Sequence, residues 1–290
     1  MSDPRICIIG AGNLATRRIC PYIGAASAEL AGVCDLDSER AERTARRFGG
    51  TPYEDANEML DEIKPDGVII CIGAQQHYEL APAIMRRGIP VYTEKPPAPT
   101  AAMAYEVAQV SRDTGVLCTT AFKKRYNVAY SRAKEWIASF PQSSLYSLSI
   151  DFASGQYSNE DEAHSFLLEF AIHAIDLAGY LFGDVQNVFA FAKDRDAYAV
   201  SLLFENGAVG TLNLNGGRSF SVPTEEVEIS VRGGNFMTIH NSASWRITRN
   251  EKPCEWHEPL TFTSAGDSGN DTGHLAELVD FVGALRAGRT

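Results

Sequence analysis

A glycine-rich turn near the start of the chain has the residue types needed to hold a phosphate group. The pattern is Gly-x-Gly-x-x-Ala, in the segment Gly10-Ala11-Gly12-Asn13-Leu14-Ala15. Gly10 allows a tight turn, Gly12 lets the backbone approach a pyrophosphate, and Ala15 keeps the following helix close to the preceding strand. The phosphates would lie at the positive end of a helix that starts near Asn13 and Leu14. Between a strand and a helix, this motif predicts a dinucleotide site.

An acidic residue further along the chain indicates which dinucleotide binds. Asp35 ends the second apolar run, about twenty residues after the glycine turn, where a carboxylate would bind the adenosine ribose hydroxyls. Leu36 and Asp37 follow, so no arginine comes directly afterwards to neutralise a 2′-phosphate. A free carboxylate there would repel NADP, and the sequence therefore predicts NAD in preference to NADP. The alternative is that Asp35 and Asp37 are turn residues before a helix.

Further residues, together with this turn, form a sequence pattern that extends over nearly the whole chain. They are Asp35, His77, Glu94-Lys95-Pro96, Glu169, His173 and Asp176. Together with the glycine turn, the pattern resembles the glucose–fructose oxidoreductase and inositol dehydrogenase (Gfo/Idh/MocA) family. The resemblance implies an α/β fold, with an N-terminal Rossmann doubly wound parallel sheet and a C-terminal α+β domain that has an open, mainly antiparallel sheet. It also implies NAD(P)-dependent hydride transfer to or from a hydroxyl or keto carbon of a sugar, polyol or cyclitol.

The resemblance assigns the residues near the cofactor. Lys95 would lie between the nicotinamide and the reacting hydroxyl, with Glu94 beside it in the same motif. Gly73 follows a buried strand, where the family often has a threonine. His77 matches a frequent family histidine near the cofactor, although a place at the start of a helix explains it equally well. One of the prolines after Lys95 would follow a cis peptide bond.

The resemblance places the substrate residues in the second half of the chain. His173 would be the acid/base on the reacting oxygen, and Glu169 would position it or bind substrate, where the family usually has the shorter aspartate. Arg125 and Tyr126, after the last Rossmann strand, would face the substrate. Ordinary packing remains an alternative for both, and a structural hydrogen bond is the favoured role of Asp176.

The chemistry of alcohol oxidation fits these residue types. A hydride and a proton leave the alcohol together, and the proton needs a base within hydrogen-bond reach. A histidine suits this because its unperturbed pKa of about 6.5 lies near working pH. A lysine beside the oxygen would stabilise developing alkoxide charge. At about 100° per residue, Glu169, His173 and Asp176 share one helix face. The hypothesis requires Lys95 and His173 to act on one oxygen beside the nicotinamide.

The helices and strands that must position these residues follow a different sequence pattern in each half of the chain. Residues 1–121 alternate short apolar runs with helix-like segments, which predicts parallel strands joined by helices. Among the expected elements are a strand at Arg5–Ile9, helices over 14–26 and 38–48 (the latter capped by Ser38), and a helix capped by Thr100.

Residues 122–290 change to clustered strand runs with two helices, 126–140 and 166–182, a polar loop at 154–165 and a last helix near 275–285. Asn206-Gly207 predicts a hairpin. We therefore expect a dinucleotide-binding domain over 1–121 and a substrate-binding and oligomerisation domain over 122–290.

Composition and charge narrow the function classes. The formal net charge of −11 argues against nucleic acid or an anionic membrane as the partner, and no apolar run approaches the ~18 residues that span a bilayer. The six scattered cysteines suggest a cytoplasmic protein with reduced thiols and no metal site. An open sheet face favours a homodimer or homotetramer. The predicted function is an oxidoreductase; alternatives are a non-catalytic dinucleotide-binding regulator and an NAD-assisted glycosidase.

Overall fold

The structure is a computed structural model that describes residues 2–155, 166–258 and 272–290. These divide into two units, Met1–Lys123 with His274–Thr290, and Lys124–Gly273. This differs from the predicted division at residue 121, because the last helix of the chain belongs to the first unit. Its residues Leu278 and Phe281 are buried in the same apolar cluster as Ile6 and Ile8 of the first strand. The apolar side chains of this last helix thus complete the hydrophobic core of the first unit.

Six parallel strands form the sheet of the first unit, in the order β3-β2-β1-β4-β5-β6. The strands are β1 (Arg5–Ile9), β2 (Glu29–Cys34), β3 (Thr51–Tyr53), β4 (Gly67–Ile70), β5 (Val91–Thr93) and β6 (Cys118–Thr120). The helices are α1 (Cys20–Ile23), α2 (Ser38–Phe48), α3 (Ala56–Ile63), α4 (Ala74–Met85), α5 (Ala101–Thr114) and the C-terminal α8 (His274–Ala287). The predicted doubly wound Rossmann sheet is confirmed.

The sheet is covered on both faces, which explains the uninterrupted apolar sequence of its central strands. Along β4, Val68 and Ile70 belong to one buried cluster and Ile69 to the other. Alternate side chains of a strand point to opposite faces, so a strand buried on both sides must be apolar throughout. The strand order reverses between β1 and β4, and this places a crevice at their carboxyl ends.

Two helix starts in the first unit show how local side chains set the boundaries. Thr100 caps α5 as predicted, because its hydroxyl accepts a hydrogen bond from the Met103 N–H at 3.3 Å. The cap of α2 is Asp37, not Ser38, since the Asp37 carboxylate accepts from the Arg40 N–H at 3.1 Å. A carboxylate at the positive end of a helix is favoured by the helix dipole as well as by the hydrogen bond.

The helix predicted over 14–26 is interrupted. Residues Ala15–Ile19 form a π-helical turn, in which the Cys20 N–H bonds to the Ala15 carbonyl, and only Cys20–Ile23 is α-helical. Pro21 lies in the first turn of α1 and has no N–H to continue the preceding hydrogen-bond ladder. The π-helical turn begins at Ala15, which is the last residue of the glycine-rich segment.

Eight strands form the sheet of the second unit, in the order β14-β13-β12-β11-β7-β10-β9-β8. They are β7 (Leu145–Gly155), β8 (Val185–Lys193), β9 (Ala197–Phe204), β10 (Val209–Arg218), β11 (Thr224–Val231), β12 (Asn235–His240), β13 (Ser244–Arg249) and β14 (Lys252–His257). Every pair is antiparallel except β7 with β10. The predicted mainly antiparallel sheet is confirmed, and Gly207, with φ of +83°, lies in the predicted hairpin turn between β9 and β10.

Helices α6 (Val128–Ala138) and α7 (Ile172–Phe182) share one buried cluster with this sheet. The helix predicted over 126–140 starts later, after a 3₁₀ turn at Lys123–Tyr126, because the Asn127 side chain caps α6. The helix predicted over 166–182 begins with a π-helical turn at Leu167–Ala171. Residues 156–165 of the predicted polar loop lie outside the described residues. Of the helices in the described ranges, none has the length and apolar character to cross a bilayer.

Candidate functional site

The glycine turn has the backbone geometry that a phosphate-binding loop requires. Gly10 has φ of +95°, and a Cβ atom there would lie 2.3 Å from the Cys71 carbonyl oxygen. Only glycine fits this position, which packs β1 against the end of β4. A Cβ at Gly12 would meet nothing within 4 Å, so the backbone there borders open space. The turn therefore leaves room for a pyrophosphate at the start of the following helix, where Asn13 and Leu14 are already helical.

Asp35 lies beside this turn, as the sequence predicts. One carboxylate oxygen accepts a hydrogen bond from the Ala11 N–H at 2.8 Å, and the other accepts from the Asp37 N–H at 3.0 Å. The Arg40 guanidinium lies 3.6 Å from Asp35 and 3.4 Å from Asp37. The side chain of Asp35 is 10 % exposed, whereas that of Arg40 is 43 % exposed. The ribose-binding carboxylate thus has a cationic neighbour that the sequence pattern did not reveal.

The Lys95 loop is held in place by a buried histidine. The Lys95–Pro96 peptide bond is cis, which confirms the expectation from the resemblance. His77 has no exposed surface, and its Nε2 accepts from the Ile72 N–H at 3.3 Å. Its Nδ1, which must then carry the proton, donates to the Pro96 carbonyl at 2.8 Å. This geometry indicates that His77 joins the loop after β4 to the Lys95 loop, while the contact with a cofactor stays a prediction.

Glu94 is 7 % exposed, and its N–H extends the β4–β5 pairing through a bond to the Ile70 carbonyl at 2.9 Å. Its carboxylate accepts from the Lys95 N–H at 3.2 Å. Gly73 immediately precedes α4 with extended backbone angles. Because Gly10, Gly73 and Lys95 follow β1, β4 and β5, these residues share the carboxyl edge of the sheet.

A buried polar cluster under the Lys95 loop was not predicted from the sequence. The Tyr92 hydroxyl donates to Glu277 of α8 at 2.9 Å. Burial, with the nearby Glu94 carboxylate, raises the pKa of Glu277 to about 8. Burial and the cations Lys123 and Arg18 lower the pKa of His274 to about 3. The two partners Tyr92 and Glu277 are 185 residues apart, so no local motif could have shown their contact.

The predicted substrate residues lie on the helical segment 167–182 and the turn before α6. Glu169 belongs to the π-helical turn, and His173 and Asp176 belong to α7; all three are partly buried. The uniform 100° spacing assumed in the prediction therefore does not extend through Glu169, because a π turn has more residues per turn and rotates by a smaller angle per residue. Tyr126 is partly buried at the end of the 3₁₀ turn.

Arg125 makes a two-pronged ion pair with Asp176, one turn after His173. Its Nε lies 2.9 Å and its Nη2 2.6 Å from the carboxylate. Asp176 is 8 % exposed, and the hydrogen bonds to it raise the pKa of Arg125 further. The pair fastens the turn before α6 to α7. Asp176 thus has the structural role that the sequence favours, while the substrate contact predicted for Arg125 stays a prediction.

Next to Arg125 lies a second ion pair, which is buried and was not predicted from the sequence. Lys124 and Glu225 of β11 are in contact and are 8 % and 5 % exposed. The Tyr130 hydroxyl and the Ser242 hydroxyl both donate to the Glu225 carboxylate. Among the described residues, no group of three or more histidine, cysteine or acidic side chains could hold a metal ion.

Comparison with known proteins identifies the class. The model for an oxidoreductase family with an NAD-binding Rossmann fold matches residues 4–122, and the model for the C-terminal domain of the same family matches residues 134–239. The fold and the two matches define a member of an oxidoreductase family that has an NAD-binding Rossmann fold. The chain belongs to the Gfo/Idh/MocA family.

Two curated relatives and one solved structure illustrate the similarity. D-glucoside 3-dehydrogenase of Escherichia coli is 28 % identical over 63 % of this chain and 55 % of its own length. Myo-inositol 2-dehydrogenase of Thermotoga maritima is 25 % identical over 72 % of this chain and 67 % of its own. The matched part of this chain thus spans little more than half of the first relative. An oxidoreductase from Agrobacterium radiobacter, solved with NAD⁺, L-tartaric acid and magnesium, has a TM-score of 0.84 at 18 % identity, over 99 % of this chain and 89 % of that chain.

Proposed function

We propose that this chain is an NAD-dependent oxidoreductase that transfers a hydride between nicotinamide and a hydroxyl or keto carbon of a sugar, polyol or cyclitol. The observation that carries the proposal is the arrangement at the carboxyl edge of the parallel sheet. There the open glycine turn hydrogen-bonds to Asp35, and the Lys95 loop is fixed by His77. This edge is where doubly wound folds bind dinucleotides. The named relatives act on a glucoside and on myo-inositol, which supports the substrate class.

In this proposal the residues have the following roles. Gly10, Gly12, Asn13 and Leu14 hold the pyrophosphate, and Asp35 accepts from the ribose hydroxyls. Gly73 and Glu94 border the cofactor. Bound NAD⁺ supplies the hydride acceptor.

Lys95 stabilises negative charge on the substrate oxygen, and His173 removes its proton as a general base. Glu169 orients His173 or binds a neighbouring substrate hydroxyl. Arg125 and Tyr126 contact the remainder of the substrate.

The proposal is tested by removing the two groups that act on the oxygen. We expect Lys95→Met and His173→Ala each to lower kcat by at least about 100-fold, the usual range for acid–base groups. The Kd for NAD⁺ should stay within a few-fold for both variants. The assay is the absorbance at 340 nm with a panel of sugars, polyols and cyclitols, and Lys252→Met and His240→Ala at exposed positions serve as matched controls.

Full activity in both variants would contradict the assigned roles. Tight binding of NAD⁺ with no absorbance change on any substrate would favour a non-catalytic regulator. Release of free sugar without net NADH would favour an NAD-assisted glycosidase.

We further propose a cytoplasmic homodimer or homotetramer. Strand β8 lies at the edge of the second sheet, and Val188, Phe189 and Phe191 on it are 67 %, 62 % and 69 % exposed. The rings of Phe189 and Phe191 are in contact, with centroids 5.0 Å apart. Exposed apolar side chains of this kind favour a covered surface, and a second copy of the chain is the symmetric solution. Sedimentation equilibrium at micromolar concentration measures the oligomeric state. A monomer at all concentrations would rule out the homodimer and the homotetramer.

A further inference from the structure

A carboxyl group under the Lys95 loop joins three parts of the first unit. Glu277 of α8 is 3 % exposed, and its carboxyl group accepts a hydrogen bond from the Tyr92 hydroxyl of β5 at 2.9 Å. The backbone N–H of Phe122, two residues after β6, bonds to the same carboxyl group. We propose that protonated Glu277 is a positioning residue for the reaction, which holds the segments after β5 and β6 where Lys95 reaches the substrate oxygen. The inference rests on the proposed function and adds a residue that acts through Lys95.

A short chain of contacts connects Glu277 with Lys95. Tyr92 comes three residues before Lys95 and has no exposed surface, so its bond to Glu277 fixes the end of β5. Between them, Glu94 is 7 % exposed and lies close enough to Glu277 for its charge to raise the pKa of that group. The Glu94 carboxylate accepts from the Lys95 N–H at 3.2 Å. A change of charge at Glu277 therefore acts on Lys95 through Glu94 as well as through β5.

Glu277 keeps its proton near neutral pH because its surroundings oppose a second negative charge. Burial and the charge of Glu94 raise its pKa to about 8, although its hydrogen bonds and the Lys123 ammonium act in the opposite direction. Two buried carboxylates repel each other strongly, since the protein interior screens charge poorly. Ionisation of Glu277 above about pH 8 therefore displaces Glu94, and the backbone of Lys95 moves with it.

Two other titratable groups near Glu277 keep the same charge around pH 8. Burial raises the pKa of Tyr92 well above its usual value of 10, so its hydroxyl stays protonated. Burial and the cations Lys123 and Arg18 lower the pKa of His274 to about 3, so this histidine, one turn earlier on α8, stays neutral. Burial and Arg18 also lower the pKa of Lys123, which therefore needs a variant of its own.

Steady-state kinetics between pH 6 and 9.5 test the role. We expect the wild-type kcat to fall at least tenfold as the pH rises through about 8. Glu277→Gln has nearly the shape of the neutral carboxyl group and cannot ionise, so its kcat should match the wild type within about threefold at pH 7 and lack the alkaline fall. Lys123→Met should keep the alkaline fall. Asp280→Asn, at an exposed position of α8, is the matched control and should leave the profile unchanged.

A second variant separates positioning from folding. Tyr92→Phe removes the hydroxyl that bonds to Glu277, and we expect it to lower kcat about tenfold at pH 7 while the Kd for NAD⁺ stays within about threefold. Tyr105→Phe, at a tyrosine that is 72 % exposed, is its control and should change neither quantity.

Hydrogen exchange followed by mass spectrometry gives a readout that needs no turnover. Between pH 7 and 9, the wild-type N–H groups of Lys95 and Phe122 should lose at least fivefold in protection, after correction for the chemical exchange rate. Glu277→Gln should show no such loss. Unchanged protection in the wild type, or an alkaline fall of kcat in Glu277→Gln equal to that of the wild type, would overturn the inference and leave the proposed function intact. A wild type that turns over no substrate would instead refute the proposed function, and hydrogen exchange would still decide the role of Glu277.

Discussion

The two units hold their candidate site residues by contacts of different range. In the first unit, Ala11 bonds to Asp35 across 24 residues, and His77 bonds to Pro96 across 19. In the second unit, Arg125 pairs with Asp176 across 51 residues, and Tyr130 bonds to Glu225 across 95. The contacts of the first unit join residues that are close in sequence and lie within one or two strand–helix units. The contacts of the second unit form only after distant strands and helices have packed together.

The difference also concerns the kind of group that is fixed. The first unit fixes backbone, through a glycine conformation and carbonyl hydrogen bonds, while the second unit fixes charged side chains by pairing them in partly or fully buried places. Backbone geometry at a turn tolerates few residue types, which makes it visible as a motif. A buried ion pair instead depends on both partners, since the loss of one leaves the other uncompensated. Mutations should therefore affect the two units in different ways.

The largest expected effect tests the buried pair of the second unit. Glu225→Gln leaves the Lys124 ammonium without its carboxylate, and we expect a loss of about 3–5 kcal/mol in the free energy of unfolding. Urea denaturation followed by tryptophan fluorescence measures it, because all three tryptophans (Trp136, Trp245 and Trp256) belong to the second unit. Lys124→Met combined with Glu225→Gln should recover much of the loss. A loss below about 1 kcal/mol would show that the pair contributes little.

A smaller effect tests the backbone geometry of the first unit. Gly10→Ala forces a Cβ against the Cys71 carbonyl at a φ of +95°, and we expect a loss of about 2–3 kcal/mol together with the loss of NAD⁺ binding. The matched variant Gly12→Ala meets open space, so it should weaken NAD⁺ at least tenfold with little change in stability. Thermal unfolding by circular dichroism and calorimetric titration measure the two quantities. Equal melting temperatures for both variants would refute the distinction.

The smallest effect concerns Glu277, a long-range partner within the first unit. Its pKa is raised from the ordinary value of 4.5 to about 8, so the folded protein keeps a proton that the unfolded chain has released. The resulting stability is complete below about pH 4.5 and is lost as the pH rises through 8. Between pH 6 and 8 we expect the wild type to lose about 2 kcal/mol more than Glu277→Gln, at up to about 1.4 kcal/mol per pH unit.

Urea denaturation at several pH values measures this slope. Tyr92 and Glu94 face Glu277, and Lys123 also acts on it. His274, whose pKa is lowered to about 3, destabilises the fold as the pH falls below about 6.5, and this contribution is common to the wild type and Glu277→Gln. Identical slopes for the wild type and Glu277→Gln would show that Glu277 is ionised in the folded protein.

Several elements and part of the candidate site follow from local sequence. Four features depend on residues that are close together in the chain: strand β1, the Thr100 cap, the hairpin at Gly207 and the glycine turn. The helix over 14–26 was predicted too long, since its apolar spacing is helical but Pro21 interrupts the hydrogen bonds. The roles of Lys95, His173 and Glu169 were drawn from the resemblance and stay predictions.

The sequence alone determined the alternation of strands and helices in the first unit, the conformation at Gly10 and the position of Asp35 beside the phosphate turn. These depend on hydrophobic period, backbone sterics and short connections, each of which acts over a few residues. Only the tertiary structure decided that α8 completes the first core, that Glu277 meets Tyr92, and that Arg40 returns to Asp35. Burial and pairing of charges depend on which distant segments exclude water together, and that is settled when the chain packs.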